Sequence, residues 1–116
     1  KTIMNWYIAK IVFRINTDEK TSKDQFDEHL RLIAADTLEE AVLKARVLGL
    51  KEEDYFLNRN NQPVTWEFVN VLDVQLIESL TDGAELYAKI FEKEKSDDYI
   101  RYVHLRAANL QTAQAI

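Results

Sequence analysis

Two long stretches of this chain alternate with a period of two, and a helix cannot use that period. From Trp6 to Ile15, residues Tyr7, Ala9, Ile11, Phe13 and Ile15 fall on one side. Trp6, Ile8, Lys10, Val12 and Arg14 fall on the other. Val64, Trp66, Phe68, Asn70, Leu72, Val74 and Leu76 alternate in the same way along residues 64–77. Successive side chains of a strand point to opposite faces, so both stretches are predicted strands. In the first, one face is core, and the mixed second face is partly covered or binds something. In the second, Asn70 interrupts an apolar face and marks a bulge or bend.

Two further segments follow the same rule. Gln25 to Ala35 places Phe26, Leu30, Leu32 and Ala34 on an apolar face, with Asp27, His29 and Arg31 opposite. It is the predicted antiparallel partner of the first strand, reached through the wholly polar residues 16–24. Ala84 to Glu94 sets Leu86, Ala88 and Ile90 against Tyr87, Lys89 and Phe91, and is the predicted last strand. Tyr55-Phe56-Leu57 is a short optional strand. Asn58-Arg59-Asn60-Asn61-Gln62-Pro63 is the clearest turn, because Asn tolerates left-handed backbone and takes the place of Gly. Thr81-Asp82-Gly83 is another.

Helix signals interrupt this pattern twice. Thr37-Leu38-Glu39-Glu40 fits a capping box, and Leu38, Ala41, Val42, Ala45 and Leu48 then recur at helical spacing. Gly49 reads as the residue just past the helix end, free to adopt positive φ, with Leu50 covering the last turn. That predicts a helix over 37–48. Ser96 is the cap of a second helix, with Asp97 and Asp98 at the positive end of its dipole. Its apolar stripe is Ile100, Val103, Ala107 and Leu110.

The order is therefore β-β-α-(β)-β-β-α. This predicts an α+β fold: an antiparallel sheet of four to five strands packed against two helices. The second helix either covers the remaining apolar area or reaches into another subunit. A length of 116 residues suits one domain spanning 1–116, with residues 1–4 and 112–116 frayed.

Composition removes several function classes. There is no Cys, hence no disulfide framework, thiolate metal site or cysteine nucleophile. No apolar run approaches the roughly 20 residues of a membrane helix, and no leader pattern is visible, so a cytoplasmic location and no membrane partner are expected. The net charge of −5 is concentrated in residues 37–88, where 4 basic residues face 10 acidic ones. An acidic surface repels phosphate, so no nucleic-acid partner is expected.

Several strings carry a resemblance. Asn5-Trp6-Tyr7-Ile8-Ala9-Lys10 opens the chain, and Leu32-Ile33-Ala34-Ala35-Asp36 runs into the helix with Glu39-Glu40-Ala41 and Lys44-Ala45. Val64 to Val74 follows the Asn-rich turn, and Asp82-Gly83-Ala84-Glu85-Leu86-Tyr87 precedes the last alternating segment. Over roughly residues 5–92 the chain resembles the small bacterial family of domain of unknown function 4288. The resemblance implies a small bacterial cytoplasmic domain and transfers no catalytic residues.

No chemical constellation stands out. His29 and His104 share no metal-ligand spacing. The serines lie in loops or at a cap, and none is in a nucleophile elbow. Glu39-Glu40, Glu52-Glu53-Asp54 and Asp97-Asp98 sit at helix starts and turns, where they serve caps and dipoles. No catalytic residue, cofactor or metal is expected. What remains is a possible interface: Trp6, Lys10, Arg14 and Arg31 interleave aromatic and basic character, and Tyr99, Tyr102 and Arg106 do so on the second helix. The reading that follows is an interaction module that forms a homo-oligomer or binds a protein partner. One alternative is a ligand or substrate pocket between sheet and second helix, lined by Tyr87, Tyr99, Tyr102, His104 and Arg106. The other is an acidic antidote that blocks a basic effector through residues 37–88.

Overall fold

The structure, a computed structural model, describes residues 4–17 and 24–114. Most of the predicted polar connection, the terminal residues 1–3 and residues 115–116 lie outside that range, so the fraying expected there does too. The elements are β1 (Asn5–Thr17), β2 (Gln25–Ala35), α1 (Leu38–Lys51), β3 (Asp54–Leu57), β4 (Pro63–Ile77) and α2 (Ser96–Gln114). The four strands form one curled antiparallel sheet in the order β2-β1-β4-β3. The chain is α+β, as the alternation predicts.

The core lies on one face of this sheet. Tyr7, Ala9, Ile11 and Phe13 of β1 are buried there, and residues directly opposite across an antiparallel pair share a face. Ile33 and Ala35 of β2 therefore join them, as do Val64, Trp66, Phe68, Val71 and Val74 of β4. Pairing between β1 and β4 shifts register between Lys10 and Ile11 and again between Val12 and Phe13. Val69 and Leu72 are the extra residues. Two bulges flank Asn70, so the irregularity that it signals is real, and the core row steps from Phe68 to Val71 to Val74.

Helix α1 closes this core with small side chains. Ala41, Ala45 and Gly49 are its buried positions, and they let the helix lie close against β1 and β4. Its start is built as expected: the Thr37 hydroxyl accepts the Glu40 N–H at 3.1 Å. The Glu40 carboxylate in turn accepts the N–H of Asp36 at 3.0 Å. The end differs. The helix runs on to Lys51, so Gly49 is an interior helical residue, and Leu50 is exposed. The β3–β4 turn matches its reading. Asn61 has φ 59°, and the Asn58 Oδ1 accepts the N–H groups of Asn60 and Gln62 at 2.9 and 3.0 Å.

Three expectations need correction. Phe26, Leu30 and Leu32 are more than half exposed: register with β1 turns them to the face away from α1, and the Asp27, His29, Arg31 row faces the helix side. Residues 84–93 form no strand; they cross the sheet's second face, tied there by Gln75 and Asp73. Finally, only α1 packs on the sheet. Helix α2 packs against no strand and not against α1, and every residue of it from Ser96 to Gln111 is exposed.

Candidate interaction surface

The second face of the sheet is built from the rows that the core does not use. On β1 these are Trp6, Ile8, Lys10, Val12 and Arg14. On β2 they are Phe26, Glu28, Leu30, Leu32 and Ala34. No helix covers them. Trp6 is 42% exposed and Phe26, Leu30 and Leu32 are 58%, 52% and 54% exposed, so the face keeps a run of large apolar side chains in water.

Part of this face is tied down by residues 84–93. The Gln75 side chain forms an amide pair with Ala88: its Nε2 donates to the Ala88 carbonyl at 2.9 Å, and its Oε1 accepts the Ala88 N–H at 3.3 Å. A side-chain amide has the same donor and acceptor as a main-chain unit, so Gln75 supplies the pairing a neighbouring strand would. One residue earlier, the Tyr87 hydroxyl donates to Asp73 at 3.2 Å. The Lys10 ammonium stands 4.8 Å from the Tyr87 ring centre. Hydrogen bonds from Gln75, Tyr87 and the Val74 N–H, with the Lys10 charge, hold the Asp73 carboxyl below its ordinary 3.8 against a smaller opposing effect of burial.

The predicted interface residues divide among three places. Trp6, Lys10 and Arg14 share the second face, where Lys10 lies 3.6 Å from Glu28 and Arg14 lies 3.2 Å from Asp24. Arg31 is on the opposite face, paired with Glu52 at 3.0 Å, so the four do not form one basic patch. Tyr99, Tyr102 and Arg106 stand on α2. There the Tyr99 ring meets Phe91 edge-on at 5.3 Å and Tyr102 at 6.4 Å. The pocket imagined between sheet and α2 is not formed: Tyr87 is on the sheet, and Tyr99, Tyr102, His104 and Arg106 are exposed.

Sequence reasoning missed one cluster on the helix side. Asp27 Oδ2 contacts His29 Nε2 and accepts the Trp66 indole N–H at 3.3 Å, while the His29 ring lies 5.1 Å from that of Phe13. The signal was the spacing of Asp27 and His29 on one strand face; the partner Trp66 comes from β4, which local pattern cannot reveal. Among the described residues no group of three or more acidic or His side chains is placed to hold a metal ion. Among the described residues no helix is long and apolar enough to cross a membrane.

No curated protein and no solved structure matches the chain. The model of the family described as Domain of unknown function (DUF4288) matches residues 6–88, and the chain therefore belongs to that family.

Proposed function

We propose that the chain is a non-catalytic interaction module whose first partner is a second copy of itself. The observation that carries this reading is α2. Tyr99, Ile100, Tyr102, Val103, Ala107 and Leu110, with Arg106 among them, occupy an arc of roughly 160° around it, the kind of stripe by which a surface helix packs on a core. Among the described residues no strand or helix offers it a core. The second sheet face is left open as well, with Trp6, Phe26, Leu30 and Leu32 in water. Burying each such side chain stabilises by about 1.5–3 kcal/mol, enough for a few of them to hold an assembly together. A cytoplasmic setting belongs to this reading, since the fold needs no disulfide.

Mass in solution tests it. Light scattering across a wide concentration range is expected to give at least twice 13.6 kDa, with a shift toward lower mass on dilution. A chain ending at residue 95 is expected to associate more weakly. A constant monomer mass at every concentration overturns the proposal.

A further inference from the structure

The two edges of the sheet differ in kind. β3 is only 4 residues long, which limits what can add to it. β2 runs from Gln25 to Ala35 with no Pro and no Lys, and its pairing to β1 has no register shift from Asn5–Ala35 to Ile15–Gln25. Natural edges are blunted by Pro, Lys, bulges and inward-pointing charges; β2 has only the last, Asp27 and Arg31 on its helix side, and these are opposite in sign.

The direction of its free main-chain groups follows from two observations. Phe13 lies opposite Phe68, but the Phe68 N–H donates to the Glu53 carboxylate at 2.9 Å. Phe13 therefore turns its own main chain toward β2, where it meets Asp27. Since N–H and C=O of one strand residue point the same way and alternate along the strand, the odd residues of β2 bond β1. The even ones, Phe26, Glu28, Leu30, Leu32 and Ala34, point outward. Independently, the Ala34 carbonyl accepts the Lys44 ammonium at 2.6 Å, which places it on the open side and caps that end.

We infer that the outer edge of β2 pairs antiparallel with β2 of a second copy, with His29 opposite His29 on the two-fold axis. This rests on the self-association proposed above and adds the β2 edge to α2 as a second surface for it. Charge and the Lys44 cap select the register. An axis at Glu28 or at Arg31 sets like charges opposite one another. An axis at Leu30 runs Phe26 of one copy onto Ala34 of the other, whose carbonyl Lys44 occupies. With the axis at His29, Phe26 and Glu28 face Leu32 and Leu30 of the second copy, and pairing stops short of Ala34. Asp27 then faces Arg31 of the second copy, twice by symmetry. Asp27 takes the His29 and Trp66 contacts on Oδ2, which leaves Oδ1 to accept. Arg31 has N–H groups beyond the one on Glu52. The exposed Phe26, Leu30 and Leu32 of both copies line one face of the joint, with Glu28 standing between Phe26 and Leu30 on each.

The chain has no cysteine, so a single introduced thiol reports on one position. Odd residues form the non-hydrogen-bonded pairs of the joint, with Cα atoms about 4.5 Å apart, within disulfide range. His29→Cys is expected to give a covalent dimer under mild oxidation about tenfold faster than Leu30→Cys or more, because Leu30 faces Glu28 of the second copy. Leu30→Pro removes an outward N–H that the monomer does not use. It is expected to lower the mass in solution while the thermal transition of the monomer persists. Equal or faster cross-linking at Leu30, or a dimer that survives Leu30→Pro, overturns the inference and leaves self-association standing through another surface. A wild-type monomer at every concentration overturns both.

Discussion

Gly49 sits where α1 comes closest to the sheet: an added Cβ would stand 2.4 Å from Cδ1 and Cε1 of Phe68 and 3.1 Å from Cγ2 of Ile11. In an open helix interior, Gly→Ala gains about 1 kcal/mol. Here the Phe68 ring is held against Phe13, at 6.2 Å between centres, and overpacking of that kind costs about 1–3 kcal/mol. Gly49→Ala is therefore expected to lower stability in urea unfolding, by about 1 kcal/mol net, against the helix-propensity trend. Asn61 gives the contrasting case. Its φ of 59° favours a residue without a Cβ, so Asn61→Gly is expected to leave the denaturation midpoint unchanged or higher. Asn61→Ala is expected to lose about 1 kcal/mol. The two positions were not equally legible. A left-handed turn is a local property, and Asn58 to Pro63 announces it. A glycine after an apolar helical stripe looks the same whether it ends the helix or clears space for a ring, and only Phe68, brought in by another element, distinguishes them.

Among the elements, residues 84–93 show what alternation does and does not encode. Leu86, Ala88 and Ile90 against Tyr87, Lys89 and Phe91 have the pattern of a strand, yet the segment lies over the sheet and not beside it. Its anchor is Gln75, a side chain, together with Tyr87 on Asp73. Period two reports side-chain alternation and does not specify the hydrogen-bonding partner. The same limit explains β2, where Phe26, Leu30 and Leu32 carry the apolar pattern but register with β1 gives the core to Ile33 and Ala35. The anchor has a pH signature. The Asp73 carboxyl in the fold titrates below its ordinary 3.8, so its ionised form is the one the fold favours. That contribution is fully present above the ordinary value and fades as pH falls through the lower folded one. Hydrogen exchange at the Ala88 N–H is expected to accelerate over that acid interval relative to strand amides, and Asp73→Asn is expected to remove the pH dependence while weakening the anchor at neutral pH. Exchange at Ala88 that tracks the β1 amides throughout counts against this role.

For the molecule as a whole, the radius of gyration is 18.3 Å, whereas a compact chain of this length has about 13 Å. The excess has a visible source. Helix α2 is 19 residues long, about 28 Å at helical rise, and it packs on no other element. Removing residues 96–116 is accordingly expected to bring the radius in small-angle scattering to about 12 Å for a monomer, while the thermal transition of the sheet and α1 changes by less than about 0.5 kcal/mol. The matched family stretch, which ends at residue 88, also stops before this helix. Such a helix has little to hold it. Isolated helices of under about 12–15 residues are marginal in water, and slightly longer ones without an Ala-rich sequence gain most of their stability from burying an apolar face. α2 has such a face, with Ile100, Val103 and Leu110 at 50%, 43% and 63% exposed, and no other described helix or strand packs on it. Its helicity should therefore follow its partner. Circular dichroism at the helical band is expected to rise with protein concentration in step with the mass from light scattering, and the chain ending at residue 95 is expected to show no such rise. If the helical signal is full at the lowest concentration, where the chain is monomeric, α2 is stable by itself and its apolar arc is not what drives two copies together.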